Sequence, residues 1–158
     1  MKHHRTIACI ALTFLCLPAL ADPPLPPDVP PGHWAAASVR RVTAQKLMIG
    51  KPDGKFHGNA PVTRYELAVT LDRLVRDMEA ARKPLSAAPD RPVRFGKQMP
   101  ATVEAALRHL VGGGFLPARS SLVVKDGGKP VTAQETADAL SQVVIRLSDR
   151  SLPAQKDQ

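Results

Sequence analysis

The sequence predicts an all-α protein made of two helix–loop–helix units joined by a proline-rich, basic linker. Three observations carry that prediction. Two segments place apolar residues at steps of three and four, Leu67, Leu71, Leu74, Val75 and Met78 in one and Ala137, Leu140, Val144 and Leu147 in the other, which is the period of a helix with one face turned to a core. Each follows a Thr with a Glu three positions on, Thr63 with Glu66 and Thr132 with Glu135. That is the capping-box spacing, in which hydroxyl and carboxylate satisfy each other's backbone amides. The chain also matches itself: Leu107, Leu110, Phe115 and Leu116 repeat Val39, Val42, Leu47 and Met48 at one constant offset, and with a single insertion 131–135 repeats 62–66.

Taken in order, residues 1–21 read as a secretory signal. Lys2 and Arg5 make a basic start, Ile7 to Leu17 an apolar run too short to span a bilayer, and Ala19-Leu20-Ala21 a small-residue cleavage site. Both cysteines, Cys9 and Cys16, lie inside this segment. Their loss leaves a mature chain with no disulfide, no thiol nucleophile and no cysteine metal site. The formal charge falls from +8 to +6, twenty basic against fourteen acidic side chains. An exported basic protein favours anionic partners such as wall polymers, anionic lipid surfaces or nucleic acid.

Six of the ten residues from Asp22 to Pro31 are proline, so residues 22–31 are expected to be extended polyproline. The first unit follows at residues 32–80. A helix is expected from Gly32-His33-Trp34 to about Leu47, with Trp34, Ala35, Val39, Val42 and Leu47 on its apolar face and Gly50 placed to end it. Pro52-Asp53-Gly54 is a tight turn, because proline presets one dihedral and Asp-Gly supplies positive φ, and Phe56 is expected to close over the helix pair. Arg64 stands at the first position of the second helix, where the helix dipole disfavours a cation. It is either a solvated side chain or, with free amides beside it, part of an anion site.

Residues 81–100 break the pattern with Pro84, Pro89, Pro92 and Pro100 among Arg82, Lys83, Arg91, Arg94 and Lys97. They read as an exposed linker whose charge is either solvated surface or a binding patch. The second unit spans residues 101–150, with Asp126-Gly127-Gly128-Lys129 at its turn, and residues 151–158 form a tail. The scaffold is repeated but the special side chains are not: Ala133 stands where Arg64 did and Thr102 where Trp34 did.

Asp28-Val29-Pro30, His33-Trp34-Ala35, Gly50 to Phe56 and Val62-Thr63-Arg64-Tyr65-Glu66, in this order and spacing, resemble the S-layer homology (SLH) family over about Asp28 to Val75. The second unit resembles a degenerate copy. The resemblance implies a non-catalytic, exported anchor in the periplasm or at the cell surface. It would bind an anionic cell-wall polysaccharide, a polymer linked to peptidoglycan, without cofactor or metal. It carries ligand-binding roles over to Arg64 and Trp34, and more weakly to Gly50 and Lys51. Arg64 would pair with a carboxylate or phosphate of the polymer. Trp34 would face a sugar ring, or else pack as a core residue between repeats. Family domains often pack three repeats, so two here imply self-association, weak binding, or a scaffold kept for contact with other envelope proteins.

Other classes fit less well. His33, His57 and His109 are accompanied by no metal-ligand or nucleophile motif, although His33 and His57 share the first unit and would have to meet in space to make a metal or acid/base pair. Nucleic-acid binding rests on charge alone, and Trp34, Tyr65, Phe56, Phe95 and Phe115 are too few aromatics for a base-stacking platform. The remaining alternative to polymer attachment is a protein–protein or structural role in the envelope.

Overall fold

In a computed structural model of the chain, residues 23–81, 95 and 98–149 are described. The expected signal segment, most of the 81–100 linker and the 151–158 tail lie outside that set. Five helices follow in order: α1 (Ala36–Ala44), α2 (Arg64–Ala81), α3 (Ala101–Gly112), α4 (Ser121–Val124) and α5 (Ala133–Asp149). The described residues contain no strand beyond an isolated bridge between Thr63 and Pro130, as an all-α fold requires.

Both expected capping boxes form. The Thr63 amide donates to Glu66 Oε2 at 2.9 Å while the Glu66 amide donates to Thr63 Oγ1 at 3.2 Å, and Thr132 and Glu135 repeat the pair at 3.0 and 3.2 Å. Each helix therefore starts where its sequence says.

The internal repeat is equally visible in how α1 and α3 stop. The amides of Leu47 and Met48 both donate to the Val42 carbonyl, and those of Phe115 and Leu116 both donate to the Leu110 carbonyl. Lys46 (φ 56°) and Gly114 (φ 74°) take the left-handed turn at matching positions. Gly50 therefore does not end α1, and the helix is shorter at both ends than its apolar pattern suggested. Gly50 has a different reason to be glycine: a Cβ there would lie 2.6 Å from the Lys55 carbonyl oxygen, across the turn closed by the Lys51 amide donating to that oxygen at 2.8 Å.

The main core is built by α2 to α5, not by α1 with α2. Leu71, Val75, Leu107, Leu110, Phe115, Leu122 and Val143 are all at most 2% exposed, so each contributes roughly 1.5–3 kcal/mol by leaving water. The second helix of the first unit thus packs chiefly on the first helix of the second unit. A separate small cluster of Val29, Ala36 and Val39, with Leu25, Ala35 and Phe56 against it, holds α1 to the proline-rich entry. Phe56 packs there as a wedge between entry and helix.

One expected stripe is turned outward in its first part, while Leu147 at its end is buried as expected. On α5 the buried positions are Glu135, Ala139, Val143 and Leu147, whereas Leu140 and Val144 are 40% and 58% exposed. Their counterparts in the repeat, Leu71 and Val75 on α2, are buried at 2% and 0% because α3 lies over that face, and no further described helix follows α5 to do the same.

Candidate functional site

The loop from Gly50 to Ala60 is shaped by two carboxylates. Asp53 Oδ1 accepts the Lys55 amide at 3.0 Å and its Oδ2 meets His57 Nε2 at 2.7 Å, and the backbone bond first, then the imidazole, holds its carboxyl below the usual range. Asp28, on the entry segment, accepts the amides of Phe56 and His57 at 2.8 and 2.7 Å, and these bonds lower it likewise. His57 is set at φ 53° by this double hold. Entry and loop are thereby fastened face to face.

Between them lies a cleft of about 570 Å³ bounded by Asp28, His33, Trp34, Phe56, His57 and Asn59. Trp34 stands on its wall 89% exposed, its indole 5.6 Å from the His33 ring and tilted by 36°. His33 is oriented in turn by the Ala35 amide, which donates to Nδ1 at 3.2 Å. Trp34 is therefore not a core residue, because α1 starts two positions later and turns Ala36 and Val39 inward instead.

On the other side of the same loop a second cleft, about 320 Å³, runs between the end of α1 and the start of α2, with Ile49, Lys51, Tyr65, Glu66 and Arg73 on its walls. Lys51 Nζ pairs with Glu66 Oε1 at its rim. That contact, with the Thr63 amide next, holds the Glu66 carboxyl low. Glu66 thus serves the cap with one oxygen and the loop with the other.

Arg64 is elsewhere. Its guanidinium is buried, with Nη2 at 2.9 and 3.0 Å from the two Glu135 oxygens, Nε at 3.3 Å from one of them and Nη1 at 3.0 Å from the Asp126 carbonyl. Lys125 Nζ reaches the same carboxylate at 2.7 Å. Lys125 first, then the Thr132 amide, with Arg64 beside them, brings Glu135 down to about 2. The amides expected to stand free are also engaged: Arg64 N–H donates to the Lys129 carbonyl at 3.1 Å and Tyr65 N–H to the Gly127 carbonyl at 3.0 Å. The anion that the start of α2 favours is supplied by the chain itself.

The four residues singled out in the sequence are therefore not brought to one place. Trp34 lines the larger cleft, Lys51 the smaller, Gly50 shapes the turn between them, and Arg64 joins the first unit to the second. His33 and His57 line one cleft but hold separate partners, and no group of three or more His, Cys, Asp or Glu side chains among the described residues is arranged to hold a metal ion. Asp28 is the residue that sequence reasoning undervalued. Its place in Asp28-Val29-Pro30 marks it as part of a motif, but its two backbone partners, on Phe56 and His57, are too far along the chain to leave a local signal.

Comparison with known proteins bears on the same stretch. The S-layer homology domain model matches residues 27–68. The chain is 40% identical over 62 residues to the outer membrane protein SlpA of Thermus thermophilus, covering 39% of this chain and 7% of that protein. It is 43% identical over 53 residues to the outer membrane protein alpha of Thermotoga maritima, 34% of this chain and 13% of that one. It is 35% identical over 49 residues to an S-layer protein of Bacillus licheniformis, 31% of this chain and 6% of that one. The aligned segment is thus a small part of each relative's length. No solved structure matches the chain.

Proposed function

We propose, from the premise that residues 27–68 of this chain form an S-layer homology domain, that the protein is an exported envelope protein that attaches without catalysis to an anionic, peptidoglycan-linked polysaccharide. No helix among the described residues is long and apolar enough to cross a membrane.

The observation that carries the reading is the exposure of Trp34 beside the cleft held open by Asp28 and His57. A lone indole left 89% in water forgoes a large apolar burial, and a sugar ring laid on its face recovers part of it. Lys51 and Lys55 lie on the same loop but not on the walls of this cleft, and Lys51 is already shared with Glu66. The reaction class is binding alone. Arg64 supports the site indirectly, by fixing the start of α2 against the second unit.

Trp34 is the chain's single tryptophan, so its fluorescence reads the site directly. Adding solubilised envelope polymer should shift the emission to the blue and protect it from iodide quenching. Emission and quenching that stay unchanged while the polymer is in excess would reject the cleft as its site.

The burial of the Arg64–Glu135 pair favours a second reading, in which the scaffold serves contact with other envelope proteins. In that case the fluorescence would respond to a protein partner and not to the polymer.

A further inference from the structure

The contact between the two units is a template that the chain leaves unfilled on α5 and only partly filled on α1, where the proline-rich entry covers Val39, the counterpart of Leu107. The face of α2 carrying Leu71, Asp72 and Val75 meets α3, where His109 sits between Asp72 at 2.5 Å and Glu79 at 3.2 Å. The equivalent face of α5 is the outward stripe of Leu140 and Val144, with Ile145 (56% exposed) beside it. Nothing described covers that stripe. Conversely, the residues of α3 and its end that α2 covers, Leu110, Phe115 and Leu116, are at most 2% exposed. Their counterparts at the end of α1, Val42, Leu47 and Met48, are only half-buried.

We propose that α5 of one copy of this chain docks against α1 of a second copy, repeating between molecules the α2–α3 contact made within each.

Two further observations point to a second copy as the occupant. The first is a glycine seat. Gly127 is buried under the Tyr65 ring, so closely that a Cβ there would lie 1.8 Å from Tyr65 Cε1. Its counterpart in the first unit, Gly58, would meet nothing nearer than the Phe56 ring at 3.5 Å. The first unit keeps the seat without an occupant, and in the proposed contact the residue above Gly58 of the second copy is Gln134 from α5 of the first, the counterpart of Tyr65.

The second is charge. α1 and its end carry Arg40, Arg41 and Lys46 and no acid, while α5 carries Asp138 and Asp149 on exposed positions. Arg41 is the counterpart of His109, and the register sets it beside Ser141 and Ser148, the counterparts of Asp72 and Glu79, with Asp149 next along α5. Ala133 stands where Arg64 would donate. The intermolecular contact therefore lacks the buried ion pair and is the weaker, reversible copy of the internal one. It is head-to-tail: each dimer still offers one α5 and one α1 face, and growth continues until a ring closes. The inference does not rest on polymer binding.

The test is sedimentation equilibrium of the chain from Asp22 onward, which keeps every described residue, at concentrations rising to about 100 μM. The mass of the unmodified chain should rise above one chain with concentration. Val144→Glu, which blocks α5, and Arg41→Glu, which blocks α1, should each stay at one chain with helical circular dichroism unchanged; Met48→Glu is a second variant of the α1 face. An equimolar mixture of the two blocked forms should reach two chains and stop there, since each supplies the face that the other lacks. An unmodified chain that stays at one chain at the highest concentration overturns the proposal. So does association that ignores Val144→Glu, or a mixture of blocked forms that never pairs.

Discussion

Arg64 and Glu135, far apart in sequence, form a buried ion pair in which Nη2 lies 2.9 and 3.0 Å from the two carboxylate oxygens. Glu135 is at the same time the capping-box acid of α5, with Oε2 accepting the Thr132 amide at 3.0 Å. One side chain thereby starts a helix of the second unit and fastens it to the first residue of a helix in the first.

Removing Arg64 should therefore loosen the two units from each other before it touches any ligand. Arg64→Ala leaves a buried carboxylate with Lys125 as its remaining cation, the situation in which breaking a pair costs more than the pair contributes. We expect the melting temperature to fall by about 5–10 °C, and by less in Arg64→Lys, which keeps the charge but loses the fork. Thermal melts followed by helical circular dichroism decide this.

The same pair sets an acid limit. Glu135 sits near 2 in the folded chain against an ordinary value of 4.5, so the folded state binds its proton less readily than the unfolded one. Its contribution is complete above about pH 4.5 and is lost as the pH falls from there towards 2. Urea unfolding across that window should show stability declining with acid, and Glu135→Gln should be less stable at neutral pH and flatter in acid. An unaltered slope in the variant would remove Glu135 from the account.

Gly127 tests how tightly the loop of the second unit grips α2. Gly127→Ala forces the Tyr65 ring to leave its seat, a clash of the kind that costs about 1–3 kcal/mol. Tyr65→Ala alone should cost as well, but the double variant should cost less than the sum, because the clash needs both side chains. Chemical denaturation of the four proteins measures the coupling.

The two clusters predict uneven stability. Leu107 is fully buried in the main core, so Leu107→Ala should cost about 2–5 kcal/mol. Val39, in the small cluster around α1, has fewer neighbours to lose. Hydrogen exchange should accordingly reach α1 amides well before those of α2 and α3.

What the sequence disclosed was local. The Thr63–Glu66 and Thr132–Glu135 boxes and the shared stop after Val42 and Leu110 depend on residues within one turn, and spacing alone revealed them. The partner of Arg64 was not legible, because Glu135 already had a local duty and a contact between distant parts of the chain leaves no periodicity. The face of α5 is legible only in part: Leu147 is buried as its spacing predicts, but Ala137, Leu140 and Val144 make as good a stripe with it as Ala139 and Val143 do, and only tertiary packing chooses between them. Trp34 was legible as unusual, but whether it faced core or water depended on α1 starting at Ala36 and not before.

The central claim is that the first unit holds envelope polymer at the Trp34 cleft. Co-sedimentation of the chain from Asp22 onward with purified sacculi, before and after acid stripping of the attached polymer and with Trp34→Ala alongside, tests it most directly. The account predicts binding that disappears on stripping and drops at least tenfold in Trp34→Ala, a loss of about 1.4 kcal/mol, while the variant melts as the unmodified chain does. Binding that survives stripping, or that ignores the loss of Trp34, would contradict it and leave contact with envelope proteins as the reading to pursue.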